Sequence, residues 1–121
     1  MPIQESGEMY LETLLILLEK KPSVRAIDIV EEMGFSKPAV SKALKNLREQ
    51  ALITTDDSGL IAFTPKGQSI AEKVYQKHVL LTDCFIRLGV DPDIAAADAC
   101  KIEHVISDRT FEALVAHAGK P

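Results

Sequence analysis

Residues 24–52 read VRAIDIVEEMGFSKPAVSKALKNLREQAL, two short helical patterns separated by a tight turn, and this stretch decides the fold. Ile27, Val30 and Met33 recur at intervals of three and predict one apolar stripe on the first helix. Gly34 supplies the left-handed residue that commonly closes a helix. Ser36 is placed to cap the next helix with its hydroxyl, and Pro38 is tolerated in a first turn where no backbone donor is needed. Val40, Leu44 and Leu47 predict the buried stripe of that second helix, and the opposite face carries Ser36, Lys37, Ser41, Lys42, Lys45 and Arg48. Short polar groups at a helix N-terminus followed by spaced cations suit a helix lying in a DNA major groove. There cations meet phosphates and small polar groups meet base edges. Arg25, at the start of the first helix, joins Ser36, Lys37, Pro38, Ser41, Lys42 and Lys45 as a candidate DNA-facing residue. An ordinary solvated helix carries the same cations, so this stretch alone leaves both readings open.

Immediately downstream the pattern changes. Ile53-Thr54-Thr55, the turn Asp56-Asp57-Ser58-Gly59 and Leu60-Ile61-Ala62-Phe63-Thr64 read as a β-hairpin. A helix-turn-helix followed at once by a hairpin is the winged-helix arrangement, far more specific than either piece alone. The wing tip is acidic, which makes Asp56 and Asp57 poor phosphate contacts. Upstream, a loose lead-in over residues 2–7 precedes a helix from about Ser6 to Lys20, with Met9, Leu14, Leu17 and Leu18 on its core side and Lys21-Pro22-Ser23 as the break.

The formal net charge of −4 conceals a gradient: residues 1–19 carry −4, residues 20–50 carry +3, residues 51–80 balance, and residues 81–121 carry −3. A local basic patch steers a protein to nucleic acid, whatever the total. With 121 residues, 46% hydrophobic content, 5% aromatics and no Trp, a small helical protein packed with aliphatic side chains is expected. No stretch approaches a membrane span and no segment resembles a signal peptide, so a cytoplasmic location is the expectation. Two cysteines in such a chain argue against a disulfide scaffold.

Thr64-Pro65 predicts the cap of a long helix reaching about Leu88, closed by Gly89. Asp91-Pro92 starts another helix, to about Val105, and Ser107 starts a last short one. Extra apolar helices after a winged helix commonly form a dimer interface, and two-fold symmetry matches a palindromic operator. The expected architecture is mainly α, with a winged helix-turn-helix DNA-binding domain over residues 1–64 and a helical metal-binding and dimerisation domain over residues 65–121. Within the latter, Cys100, Glu103 and His104 stand at i, i+3 and i+4, so a thiol, a carboxylate and an imidazole share one helix face. That donor set suits a divalent transition metal. A buried Cys beside a surface Glu-His pair is the competing reading. Neither cysteine lies in a C-x-x-C, and no oxyanion-hole motif accompanies the Cys/His pair, so enzymatic use of the triplet is disfavoured.

Taken together, Glu8-Met9-Tyr10-Leu11, Ser36-x-Pro38-x-Val40-Ser41, Thr64-Pro65-x-Gly67, Lys77-His78 and Ala99-Cys100-x-x-Glu103-His104-x-x-Ser107-Asp108 resemble, in order and spacing, the diphtheria toxin repressor family of iron- and manganese-dependent transcription regulators. The resemblance covers nearly the whole chain. It implies a homodimeric winged-helix repressor that binds an operator in double-stranded DNA when loaded with Fe(II) or Mn(II). By position it implies a primary metal site of Met9, Cys100, Glu103 and His104, with His78 as a second-site histidine. Thr82 and Ala96 depart from the carboxylate and histidine of the iron-type second site. The manganese-type members use a carboxylate at the position of Glu12, which implies instead a second ion held by Glu12, His78 and Glu103. Met9 and Cys100 are softer than the acids at the equivalent places of manganese sensors, which favours Fe(II). The resemblance leads to the expectation of the family's short form, without the SH3-like domain of longer relatives. The alternatives are a winged-helix regulator that senses oxidation through Cys84 or Cys100, and a metal-dependent enzyme or partner-binding module that uses no DNA.

Overall fold

A computed structural model of the chain describes residues 5–118. The described elements are, in chain order, α1 (Glu5–Lys20), α2 (Ala26–Met33), α3 (Lys37–Glu49), β1 (Ile53–Thr55), β2 (Ile61–Phe63), α4 (Pro65–Arg87), α5 (Pro92–Ile102) and α6 (Asp108–Ala118). One compact unit ends at Glu72 and a second begins at Lys73. Helices and a two-stranded antiparallel wing in this order are the expected mainly α architecture. The expected lead-in before Glu5 lies outside the described residues. No helix among the described residues is long and apolar enough to cross a membrane.

In the first unit, α1, α2 and α3 surround a core that includes Leu11, Leu14, Ile29, Val40 and Leu44. Two expected stripes are corrected. On α2 the buried residue is Ile29, while Ile27 is 44% exposed. With only eight residues, α2 offers several apolar positions, and the direction from which α1 and α3 pack selects among them. On α1, Tyr10, Leu11, Leu14 and Leu17 are buried and Met9 and Leu18 only partly so, which rotates the core face by about one residue. The α3 stripe of Val40, Leu44 and Leu47 is buried as expected. Burying each of these aliphatic side chains is worth about 1.5–3 kcal/mol before the entropy of ordering is counted.

The punctuation follows the sequence. Gly34 closes α2 at φ 72° and its N–H donates to Val30 O. Ser36 Oγ accepts the Ala39 N–H at 3.3 Å and Pro38 sits in the first turn of α3. The strands pair in the register Ile53 with Phe63 and Thr55 with Ile61, and Ile61 N–H donates to Val24 O at 2.9 Å, tying the chain before α2 to the wing. Thr64 Oγ1 accepts the Gly67 N–H at 3.1 Å to cap α4 and donates to Ala51 O at 2.7 Å. A Cβ on Gly67 would lie 1.8 Å from Leu52 O, so the first turn of α4 rests directly on the backbone entering the wing.

Among the described residues of the second unit, Val74, Leu81, Ala95 and Ala99 are the buried apolar ones. Asp91 caps α5 by accepting the Asp93 and Ile94 N–H groups. Ser107 Oγ accepts the Thr110 N–H at 3.1 Å to open α6. Lys77, 8% exposed, pairs with Asp108 at 3.1 Å and lies 5.8 Å from the centre of the Phe111 ring. Lys73 joins the same carboxylate at 2.9 Å. These two lysines, the Lys73 hydrogen bond first, hold the Asp108 carboxyl below the usual carboxylate range.

Candidate functional site

The metal-ligand candidates of the second unit converge at the end of α5. Its regular hydrogen bonding stops at Ile102, short of the expected Val105. The winding nevertheless continues. Glu103 keeps right-handed helical angles (φ −58°, ψ −27°) and donates its N–H to Ala99 O, and Val105 and Ile106 both donate to Ile102 O. Cys100, Glu103 and His104 therefore retain helical spacing, and one ligand atom of each lies within 4.8 Å of the other two. Sulfur, oxygen and nitrogen donors at this separation fit a divalent transition-metal ion.

Burial supports that fit. Glu103 is fully sealed from solvent and the His104 side chain is 1% exposed. A sealed carboxylate is strongly unfavourable unless its charge is compensated. Within this unit His78 Nδ1 lies 2.8 Å from Glu103 Oε2 and His104 Nε2 lies 3.2 Å from Glu103 Oε1. One carboxylate thus stands between two imidazoles, beside a thiol, where a cation would be well compensated. Cys84 is half-buried on α4, and neither it nor Cys100 is in a disulfide.

Met9 and Glu12 lie half-buried on α1 of the first unit. Glu12 Oε2 is buried without a hydrogen-bond partner among the described residues, an acceptor in want of a donor or an ion. Thr82 likewise has a buried hydroxyl with no hydrogen-bond partner among the described residues.

The DNA-facing candidates of α3 are placed as the spacing predicts. Ser36, Lys37, Pro38, Ser41, Lys42 and Lys45 are all exposed, while Val40, Leu44 and Leu47 of the same helix are buried. Arg48 donates Nη1 to Thr55 Oγ1 of the wing at 3.3 Å. Arg25 stands apart from this face, at the N-cap of α2, with its Nε–H donated to Ser58 O of the wing tip at 3.1 Å. Its backbone N–H donates to Asp28 Oδ2, and the Lys21 hydrogen bond leads the causes that hold Asp28 below the usual carboxylate range.

Two arrangements escaped the sequence reading. Asp56 organises the wing tip, because its Oδ1 accepts the Ser58 N–H, the Ser58 hydroxyl and the Leu60 N–H at 2.8–2.9 Å. The signal was present, since an aspartate opening a D-D-S-G turn commonly folds back on backbone donors two residues on. The Lys73 and Lys77 pairs with Asp108 had no local signal.

A winged helix joined to a helical unit that carries a thiol-carboxylate-imidazole cluster defines the class of metal-responsive, DNA-binding transcription regulators. Residues 3–60 match the family described as "Iron dependent repressor, N-terminal DNA binding domain". Residues 64–121 match "Iron dependent repressor, metal binding and dimerisation domain". The chain is 31% identical over 107 residues to the transcriptional regulator MntR of Salmonella typhimurium, covering 88% of this chain and 68% of that protein. It is 31% identical to the diphtheria toxin repressor of Corynebacterium diphtheriae, covering 92% of this chain and 50% of that protein. The solved structure of the manganese regulator SloR superimposes with a TM-score of 0.82 at 30% identity, covering 100% of this chain and 56% of that one. The chain belongs to the iron-dependent repressor family, the family of the diphtheria toxin repressor and MntR. That family consists of metal-dependent transcriptional regulators, not enzymes.

Proposed function

We propose that this chain is a homodimeric repressor that binds a palindromic operator when loaded with Fe(II), with Mn(II) the less favoured activator. The observation that carries the reading is the convergence of Cys100, Glu103 and His104 within 4.8 Å in a chain that also presents the exposed cationic face of α3. Cys100, Glu103 and His104 hold the ion, and Met9 completes the set by its position in the family pattern. Glu12, with its unsatisfied buried oxygen, and His78, hydrogen-bonded to Glu103, serve a second ion by the same pattern. The sulfur donors of Met9 and Cys100 favour Fe(II) over Mn(II).

The ion supplies positive charge among buried carboxylates. The residues of the chain do the rest. Lys37, Lys42, Lys45 and Arg25 contact phosphates; Ser36, Pro38 and Ser41, at the start of α3, meet base edges. Holding α1 through Met9 and Glu12 biases the dimer towards the conformer whose two α3 helices match successive half-sites. The exposed apolar residues of the second unit, Leu88 at 79% and Val105 at 69% among them, supply the dimer surface. Operator binding measured with Fe(II), Mn(II), Zn(II) and chelator tests the reading. Binding that requires metal, strongest with Fe(II), is expected. Equal binding under chelator refutes metal activation, and stronger binding with Mn(II) refutes the metal order. The metal-free chain should sediment as a dimer at micromolar concentration, and a monomer there removes the apolar interface.

A further inference from the structure

The wing tip carries Asp56 and Asp57 in the same unit as the cationic helix α3, and as a DNA contact it is repulsive. Its hydrogen bonds give it a different use. Asp56 Oδ1 gathers the Ser58 N–H, the Ser58 hydroxyl and the Leu60 N–H, while the Asp56 N–H donates to Leu60 O and Asp56 O accepts the Gly59 N–H, both at 3.0 Å. Gly59 turns the chain at φ 86°. The Ser58 peptide is fixed from both sides by these bonds, and its carbonyl accepts the Arg25 Nε–H at 3.1 Å. The Arg25 stem passes close by, since a Cβ on Gly59 would lie 3.9 Å from its Cδ. An exposed arginine normally loses rotamer freedom when it grips a phosphate. Arg25 has its Nε committed in advance, and among the described residues its Nη groups make no hydrogen bond that would compete with another acceptor.

We infer that the acidic wing acts on operator binding through Arg25: Asp56 is a positioning residue that fixes the Ser58 carbonyl, and this carbonyl pre-orders the Arg25 guanidinium for a backbone phosphate. The inference rests on the DNA-binding reading above. It reverses the sign of the simplest electrostatic expectation, by which removing any wing carboxylate strengthens DNA binding.

The test uses the full chain with Mn(II) and a duplex selected from a random library by the unsubstituted protein. Asp56→Ala should weaken binding about three- to tenfold, the range for one side chain that must be ordered on binding. Asp57→Ala, with the same charge removed, should bind as well as the unsubstituted chain or better. Asp56→Asn keeps an oxygen acceptor and should return affinity to within about twofold. In an Arg25→Ala background Asp56→Ala should have no further effect, which a merely structural role of the turn would not produce. The proposal is overturned if Asp56→Ala binds as well as or better than the unsubstituted chain, or if its loss is the same with and without Arg25. Lys42→Ala separates the two levels of failure. If Lys42→Ala keeps full affinity, the DNA-binding reading falls and the proposal with it. If Lys42→Ala loses affinity while Asp56→Ala does not, only the proposal falls.

Discussion

In the unit that ends at Glu72, Leu11, Val24, Ile29 and Val40 are sealed from solvent and Lys37, Lys42 and Lys45 stand outside; in the unit that begins at Lys73, Glu103 and Lys77 are sealed while Leu88, Ile94 and Val105 stand outside. The first pattern stabilises itself, because apolar burial needs no partner and exposed cations are solvated. The second does not. A sealed carboxylate requires compensation, and exposed apolar side chains at this density mark a surface that something covers. The seat of function differs accordingly. One unit works through its surface and can be altered there without loss of fold. On the proposed metal site the other works through its interior, where function and stability share the same atoms.

His104→Ala strikes the second unit at that shared point. It should reduce activation of operator binding by Fe(II), Mn(II) and Zn(II) by at least about 100-fold each, as expected for loss of a direct ligand. Retained activation by any of the three metals would move the metal centre elsewhere. Leu44→Ala is the matching blow to the first unit. Leu44 is 3% exposed, so its truncation should lower unfolding free energy by about 2–5 kcal/mol in urea titrations. A loss below about 1 kcal/mol would show that the apolar core is not what holds this unit. Smaller effects are expected at its surface. Lys42→Ala and Lys45→Ala should each weaken operator binding and flatten its dependence on salt by about one ion, with no change in melting temperature. An unchanged salt slope in the double variant would remove α3 from the phosphate backbone.

The smallest effect concerns Asp108. The hydrogen bonds from Lys73 and Lys77 hold its pKa below the ordinary 3.8. A lowered folded-state value means that the ionised carboxylate stabilises the fold above about 3.8 and that this contribution disappears as pH falls through the folded value. Thermal melts of Asp108→Asn should therefore differ from those of the unsubstituted chain at neutral pH and converge with them below pH 3.8. A constant difference across that range would show that the lysine pairs do not stabilise the fold.

What the sequence disclosed divides along the same line. Gly34, Ser36 and Pro38 act within four residues of themselves, as Thr64 does in capping α4, so these roles are legible in the order of the residues alone; the Thr64 bond to Ala51 O is not. The Cys100, Glu103 and His104 spacing is legible for the same reason. It survives the early end of α5 because Glu103 keeps helical angles beyond the last regular bond. The choice of Ile29 over Ile27 is not legible, since a helix this short has no unique apolar face until its neighbours dock. Nor are the contact from Arg25 to Ser58, separated by 33 residues, and that from Lys73 to Asp108, separated by 35. Such pairs depend on where whole elements come to rest, and period and propensity carry no information about it. The ligand role proposed for Met9 comes from family position alone, because a lone methionine on an amphipathic helix is also ordinary filler.

Between Ile53 and Phe63 the wing carries Asp56 and Asp57 and no lysine or arginine. A regulator must find one site among roughly 10⁶–10⁹ competitors, and it holds competitors almost entirely through the phosphates it neutralises. A hairpin with no cation of its own can add to that hold only through Arg25, whose Nε–H it accepts at Ser58 O. On the inference drawn from Arg25, that single hydrogen bond would set the wing's share in how long the chain pauses on irrelevant duplex.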